Sequence, residues 1–432
     1  MQKLQEKIER IIVPIGTKIS QIKILRILQK SFISVISLTI IGSLVLIIKN
    51  FPFINYVISD SIMNEIGSFF GNISTVTTGC LALWLSGAIG YYYSEEEGNP
   101  KLFGLLTSLI AFLIATPFTL SVEGLEQPIT TGIIPTAYLG GNGLFSAILI
   151  GFISACIYNK TQNKGIVIKL PDSVPPAVSE PFKVIIPTLF AFLACTAIRY
   201  GFTFTSYGSI HNFFFTVLQT PLMSLGTSLP ATLLVIVFVQ LLWFLGLHGQ
   251  NIAMAVMTPI WAAATVANYD AIQAGGSAQY IFTQQFFSAF VWIQFVSLII
   301  ACLIGSKSKQ LKSLSKLSLP AGCFCISEPI VFGTPVVLNF YLLVPWVLVM
   351  LVYVLIGWGA MAIGICPNPI GATIPWTTPP IIAGWLVTGS FMGAIVNIVQ
   401  IIVGTVIYLP FVKMYDKQLL TQENNTQEKM EG

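Results

Sequence analysis

Apolar residues run through the chain in long blocks separated by short polar stretches. A transmembrane helix needs about 20 mostly apolar residues to cross a hydrocarbon core of about 30 Å. Blocks of about that length lie near residues 31–48, 73–93, 102–122, 139–158, 184–205, 231–247, 281–305, 341–363 and 384–409. The pattern predicts an all-α membrane protein.

Two further apolar segments contain helix breakers. One spans residues 251–268 and contains Pro259. The other spans residues 321–340 and contains Gly322, Pro329, Gly333 and Pro335. Proline removes a helical N–H donor, and backbone groups freed at membrane depth must line a cavity or be buried in protein. Both segments are therefore predicted to be half-helices or re-entrant hairpins, and such a pair indicates the binding site of a transporter.

Composition supports a membrane location. Hydrophobic residues make up 55% of the chain and charged residues only 9%, whereas a soluble domain has about 25% charged residues. The basic N-terminal stretch leads into the first apolar block without a small-residue cleavage site, so no cleavable signal is expected. The net charge of +4 is not spread over a face in the way that nucleic-acid binding requires.

Basic residues mark the expected cytoplasmic ends of the spans. Of the 21 Lys and Arg, seven fall in residues 1–30, four in 160–183, four in 307–316 and three in 413–429. The positive-inside rule places these clusters, and both termini, in the cytoplasm. Residues 307–316 reach that side only if one more crossing exists, at either 206–229 or 249–268, which makes ten. The sequence leaves this choice open.

Glu328 is the one acidic residue between Asp270 and Asp416. A carboxylate at membrane depth costs at least ~2.5 kcal/mol and therefore needs a partner or a function. It can accept hydrogen bonds from neighbouring hydroxyl groups of a ligand. The alternative is a structural role, in which Glu328 binds only backbone donors of its own hairpin.

The motif GLHGQN, residues 246–251, contains one of the two histidines. The imidazole of His248 can bind a hydroxyl group or accept its proton. Gln250 and Asn251 add amides that suit a polyhydroxylated ligand. The alternative for His248 is to cap the end of the preceding helix.

Other polar groups have simpler interpretations. His211 is expected to be structural or interfacial, and the acidic run of residues 95–97 is expected to be a solvated loop, because Gly98 and Pro100 follow it. The cysteines lack metal-site spacing and are interpreted as structural thiols. The lysine-rich residues 307–316 are interpreted mainly as a determinant of membrane topology. Their second expected role is as a docking surface for an acidic soluble partner.

Four motifs together resemble one family, the enzyme IIC sugar permeases of the bacterial phosphotransferase system, in their lactose, cellobiose and diacetylchitobiose group. They are LPDSVPPAVSEPF (170–182), GLHGQN (246–251), ISEPIVFGTPVVLN (326–339) and IPWTTPPIIAGWLVTG (374–389). The resemblance covers roughly residues 8–410. Ser327 and Phe340 depart from the family pattern, which bears on substrate specificity.

The resemblance implies a homodimeric, elevator-type transporter of the bacterial cell membrane, with about ten transmembrane helices and two re-entrant hairpins per protomer. It implies a cytoplasmic segment at 1–30, an interface domain at 31–229, a substrate-binding domain at 230–410 and a cytoplasmic tail at 411–432. By their places in the motifs, His248 and Glu328 correspond to the pair that binds sugar beside the hydroxyl to be phosphorylated. Support roles in sugar binding are expected for Gln250, Asn251 and Trp376.

The resemblance also implies the partners. The chain is expected to take up a β-linked disaccharide such as cellobiose or diacetylchitobiose as a transporter subunit rather than an enzyme. A separate phosphorylated enzyme IIB would then phosphorylate the sugar. Lipid is the surrounding solvent, and no cofactor, metal or nucleic acid is expected. The alternative function is an ion-coupled symporter or exporter of another polar solute, in which Glu328 carries a proton.

Overall fold

The computed structural model describes most of the chain: Pro14 and residues 17–19, 21–49, 58–119, 133–171, 173–334 and 336–431. These residues form helices and no β-strand, as the apolar pattern predicts. Asp172, Pro335 and most of the predicted segment 1–30 lie outside the described residues.

The N-terminal half packs around one buried cluster that includes Leu85, Ile89, Phe112 and Ile150. Its helices are α1 Lys23–Lys49, α2 Asp60–Val76, α3 Leu81–Glu97, α4 Lys101–Ala115, α5 Leu144–Asn163, α6 Pro176–Lys183, α7 Ile185–Thr203, α8 Ile210–Phe214 and α9 Thr220–Gly226. A π-helical turn, Phe215–Gln219, joins α8 to α9.

The C-terminal half has its two largest buried clusters around Tyr353 and Tyr408 and around Phe286 and Phe290. Its helices are α10 Leu229–Phe244, α11 Gly249–Gln273, α12 Gln284–Phe286, α13 Gln294–Gly305, α14 Lys309–Cys323, α15 Glu328–Gly333, α16 Phe340–Ala362, α17 Pro380–Thr388 and α18 Phe391–Glu431. A second π-helical turn, Phe287–Val291, lies between α12 and α13.

Each predicted crossing overlaps a helix. Among the described residues, 8 helical stretches are long and apolar enough to cross a membrane, and the pair α8–α9 with α10, bent by 69°, gives a ninth if it counts as one span. Of the two segments considered for the additional crossing, 249–268 lies in α11, which is by length and composition a continuous candidate span of 25 residues. The total of ten crossings stays a prediction.

The predicted break at Pro259 is wrong. Helix α11 continues through this proline from Gly249 to Gln273. Pro259 itself is buried, as are its helical neighbours Thr258 and Trp261. Close packing along α11 therefore keeps the helix continuous despite the N–H group that proline lacks.

The predicted break within residues 321–340 is confirmed, since α14 and α15 form a hairpin. Helix α14 ends in a Schellman motif. The Ile326 N–H donates to the Ala321 carbonyl at 3.0 Å, and the Cys325 N–H donates to the Gly322 carbonyl at 3.1 Å. Cys325 occupies the left-handed position with φ 61°, which is usually taken by glycine. The turn thus satisfies the last carbonyls of α14 within the protein.

The predicted span 384–409 is interrupted at its start. Gly389 adopts a left-handed conformation, φ 63°, and ends α17, while α18 begins at Phe391. Helices α17 and α18 pack against each other at Gly384 and Gly393, whose backbones leave no room for a side chain. Helix α18 then continues through the predicted tail.

The acidic run of residues 95–97 is not a solvated loop. It forms the last turn of α3 and is paired with basic residues of α1 and α4. Arg26 contacts Glu96 at 2.8 Å, and Lys101 contacts Glu95 at 2.8 Å. Further ion pairs join Lys23 to Glu97 and Lys30 to both Glu95 and Glu96. These ion pairs attach the last turn of α3 to α1. They join residues that are distant along the chain, so the local sequence does not reveal them.

Replacing Gly384 with alanine should destabilise the protein, because the new methyl group would overlap the Asn397 side chain and the Gly393 carbonyl. We expect Gly384→Ala to lower the free energy of unfolding by about 1–3 kcal/mol, read as a lower melting temperature in detergent. The matched control is Gly359→Ala in α16, where a methyl group meets nothing within 4 Å. Equal melting temperatures for the two variants would contradict the close packing of α17 and α18.

Candidate functional site

A cavity of about 430 Å³ lies between the two halves of the molecule, within the size range of small-ligand sites. All five predicted site residues line it: His248, Gln250, Asn251, Glu328 and Trp376. They come from three separate parts of the chain. The fold therefore brings together groups that the sequence separates by about 130 positions.

The motif GLHGQN forms the turn from α10 to α11. Gly246 has φ 79°, which favours glycine. Gly249 lies so close to the Val239 carbonyl that a side chain would not fit. These two glycines allow the chain to reverse tightly and to place His248 at the cavity.

His248 caps the start of α11, so the expected alternative, a cap on the preceding helix, is wrong. Its Nδ1 accepts a hydrogen bond from the Asn251 N–H at 3.3 Å. The imidazole ring lies 4.4 Å from the ring of Trp243, centroid to centroid. With Nδ1 used in capping, Nε2 is the ring nitrogen available to a ligand.

Glu328 is the first residue of α15. Among the described residues, no ion pair includes its carboxylate, and no described residue donates a hydrogen bond to it. No hydrogen bond among the described residues supports the structural alternative, a carboxylate held by the backbone of its own hairpin. The carboxylate remains free to accept hydrogen bonds from a ligand.

Trp376 lies in the loop between α16 and α17, and its side chain is 63% exposed. The loop is held at three points. The Thr373 N–H donates to Ser43 Oγ of α1 at 2.9 Å, and the Ile374 N–H donates to Gln285 Oε1 at 3.3 Å. At the third point, the Cys325 thiol donates to the Thr378 carbonyl at 3.3 Å. The indole of Trp376 is thus exposed, while the backbone of its loop is held by hydrogen bonds.

Several cavity residues were not predicted from the sequence. Phe32 and Thr39 contribute from α1, and Gln284, Ser288 and Trp292 contribute from α12 and the turn that follows it. The adjacent amides Gln284 and Gln285 at the start of an apolar block are the only sequence signal for this wall. Nothing in the local sequence marks α1 as part of a site.

His211 lies outside the cavity and is fully buried. Its ring nitrogens contact the hydroxyls of Ser146 at 2.5 Å and Thr116 at 3.1 Å. The Tyr138 ring stacks on it at 5.1 Å. These contacts support the structural role expected for His211.

The cavity combines hydrogen-bonding groups with aromatic faces, which suits a ligand rich in hydroxyl groups. A carboxylate, an imidazole and several amides can each bind a hydroxyl group. In the part of the chain that the structure describes, no cluster of three or more His, Cys, Asp or Glu is arranged to hold a metal ion.

Comparison with known proteins assigns the family. The family model for the phosphotransferase system EIIC component matches residues 29–350. The chain is 36% identical to the oligo-beta-mannoside-specific EIIC component of Bacillus subtilis (strain 168), covering 97% of this chain and 95% of the relative. It is 34% identical to the cellobiose-specific EIIC component of Geobacillus stearothermophilus, covering 98% and 96%.

A solved structure agrees with these relatives. The crystal structure of the transporter ChbC, the IIC component from the N,N'-diacetylchitobiose-specific phosphotransferase system, matches with a TM-score of 0.90 and 34% identity. The match covers 96% of this chain and 99% of that one. The chain therefore belongs to the EIIC family, the sugar-specific membrane permeases of the phosphotransferase system.

Proposed function

We propose that this permease takes up a β-linked disaccharide, such as cellobiose or diacetylchitobiose, and presents it to a separate enzyme IIB for phosphorylation. One observation carries the proposal: His248, Gln250, Asn251, Glu328 and Trp376 line a single cavity. The relatives named for cellobiose and diacetylchitobiose support this class of sugar.

In this proposal the carboxylate of Glu328 accepts hydrogen bonds from sugar hydroxyls, and His248 Nε2 contacts the hydroxyl that reacts. The exposed indole of Trp376 packs against the apolar face of a sugar ring. A site built on such hydrogen bonds discriminates strongly against analogues that lack the hydroxyl group.

The phosphoryl transfer then needs little covalent chemistry from this chain. The phosphocysteine of enzyme IIB loses its S–P bond, an O–P bond forms at the sugar 6-hydroxyl, and the cysteine leaves as a thiolate. His248 or Glu328 accepts the hydroxyl proton. Because phosphoryl transfer depends mainly on positioning, the permease contributes by holding the acceptor hydroxyl in place.

The proposal includes an assembly and a location. The chain forms a homodimer in the bacterial cell membrane, with both termini in the cytoplasm. Residues 31–229 form the interface domain, and residues 230–410 form the domain that carries the sugar across. The cavity has walls from both ranges, since α1 and α11 both line it, so movement between the domains would open or close it.

A lysine face on the C-terminal half is proposed as the docking surface for enzyme IIB. Its exposed lysines are Lys307, Lys309, Lys312, Lys316, Lys413 and Lys417. Asp416, the acidic residue among them, is 3% exposed and accepts hydrogen bonds from the backbone N–H groups of Lys307 at 2.7 Å and Ser308 at 2.9 Å. Its charge is therefore directed inward, which leaves the face basic.

The same face lies close to the site along the chain. Lys309, Lys312 and Lys316 lie on α14, whose hairpin with α15 leads to Glu328. A domain that carries phosphate is attracted to such a surface, and binding there would bring its phosphate towards the cavity.

Replacing either Glu328 or His248 should weaken sugar binding. We expect Glu328→Gln to weaken binding of the transported disaccharide by about 10–100-fold, the effect of losing hydrogen bonds to a charged group. His248→Asn should weaken it similarly, because asparagine can still cap α11 but lacks the imidazole. Equilibrium binding of radiolabelled cellobiose, diacetylchitobiose and lactose to the purified protein measures both effects.

The control for charge is Glu65→Gln in α2, which lies outside the cavity. Unchanged affinity in His248→Asn would show that His248 serves only as a helix cap. Absence of sugar binding by the unmodified protein, together with proton-driven uptake of another solute, would replace the proposal with the symporter function.

Reversing charge on the lysine face should slow phosphorylation without affecting sugar binding. With limiting phosphorylated enzyme IIB, we expect Lys312→Glu combined with Lys316→Glu to lower the rate of phosphosugar formation roughly tenfold. The sugar dissociation constant should be unchanged. The matched control is Lys164→Glu at the end of α5, and an equal loss of rate in this control would argue against a docking surface on α14.

A further inference from the structure

A π-helical turn forms part of the cavity wall. In Phe287–Val291 the helix widens, and the Trp292 N–H donates to the Phe287 carbonyl, five residues back, at 2.9 Å. Such turns are rare and occur frequently at functional sites. Gln284, Ser288 and Trp292, which lie before, within and after this turn, all line the cavity.

Two side chains of α18 hold the turn. Asn397 Nδ2 donates to the Ala289 carbonyl at 3.0 Å, and Gln400 Nε2 donates to the Phe290 carbonyl at 2.9 Å. Both amide side chains are fully buried. We call Asn397 and Gln400 the amide clamp.

The amide clamp uses all of its hydrogen-bonding groups. Asn397 Nδ2 also donates to Gln400 Oε1 at 3.0 Å, and Asn397 Oδ1 accepts from the Gly384 N–H at 3.1 Å. Gln400 Nε2 also donates to the Tyr353 carbonyl at 2.8 Å. A buried polar network in which every member is satisfied gives a rigid, specific arrangement. The clamp thus ties the π-helical turn to α16, α17 and α18.

The cavity side of the turn offers groups for a ligand. The Gln284 side-chain amide makes no hydrogen bond with any described residue, whereas Ser288 Oγ donates to the Gln284 carbonyl at 3.2 Å. The Trp292 ring stacks against Phe287, with centroids 5.8 Å apart, and Phe287 stacks on Trp261 at 3.7 Å. One free amide and one supported aromatic ring therefore face the cavity together.

We propose that the amide clamp is a positioning element for substrate recognition: it fixes the π-helical turn so that Gln284 hydrogen-bonds the sugar and Trp292 contacts the face of a sugar ring. Because the clamp also holds Gly384 of α17, it steadies the loop that carries Trp376. The inference rests on the proposed function, since it assigns further recognition groups to the same cavity.

A double-mutant cycle tests the inference. Gln400→Met keeps a similar volume but removes the hydrogen bonds to the Phe290 and Tyr353 carbonyls. We expect it to weaken sugar binding about tenfold, as for one lost hydrogen bond at the site. Gln284→Ala should weaken binding by a similar factor. In the double variant the two losses should be less than multiplicative, because part of the effect of Gln400→Met acts through Gln284.

The matched control is Gln294→Met. Gln294 is also buried, lies on α13, and accepts a hydrogen bond from the Tyr408 hydroxyl at 3.4 Å, but it does not line the cavity. The Gln294→Met variant should have a lower melting temperature, while its sugar affinity stays within about twofold of that of the unmodified protein. This control separates positioning from a general loss of packing.

Two results would overturn the inference. One is a Gln400→Met variant whose sugar affinity matches that of Gln294→Met. The other is a double variant whose loss of sugar affinity equals the product of the losses in the two single variants. If Gln400→Met does not fold, Asn397→Ser replaces it in the same cycle, because serine cannot reach the Ala289 carbonyl. A protein that binds no disaccharide at all would refute the proposed function, whereas normal binding with an unaffected clamp variant refutes only this inference.

Discussion

Peptide groups that leave the α-helical pattern inside a bilayer must find hydrogen-bond partners within the protein, and the site depends on how this chain meets that requirement. The Schellman turn at Cys325 satisfies the end of α14 with its own backbone. The π-helical turn before α13 receives side-chain amides from α18. Each irregular element beside the cavity is thus fixed from the protein interior, so its outer face is free for a ligand.

Two elements of the cavity wall differ in how they are supported. His248 and Glu328 lie on tight turns whose geometry comes from neighbouring residues, with Gly246 and Gly249 on one side and the α14–α15 hairpin on the other. The wall formed by Gln284, Ser288 and Trp292 is instead supported from another helix, about 110 positions later in the chain. Sequence changes far from the cavity can therefore alter the geometry of the second element more readily than that of the first.

This difference explains what the sequence could and could not predict. The apolar blocks located the spans, and Gly322 with Pro329 located the hairpin, because those signals are local. The motifs predicted His248 and Glu328 as site residues, and both line the cavity. Pro259 was misinterpreted because packing around α11 overrides its local effect. The role of residues 95–97 depends on α1, about 70 positions away, and the π-helical turn depends on Asn397 and Gln400. No local pattern records these tertiary contacts.

The origin of the cavity walls has a consequence for biogenesis. The cavity needs Phe32 from the first helix and Trp376 from one of the last loops, so roughly 340 residues must be synthesised between the two. At a synthesis rate of about 5–20 residues per second, on the order of 20–70 s pass between the synthesis of α1 and the synthesis of the loop that completes the cavity. Over that interval the ion pairs between α1 and α3, available early in translation, can hold α1 in register. The cavity is therefore among the last features to form, and a chain that stops before residue 376 would lack the loop that completes its wall.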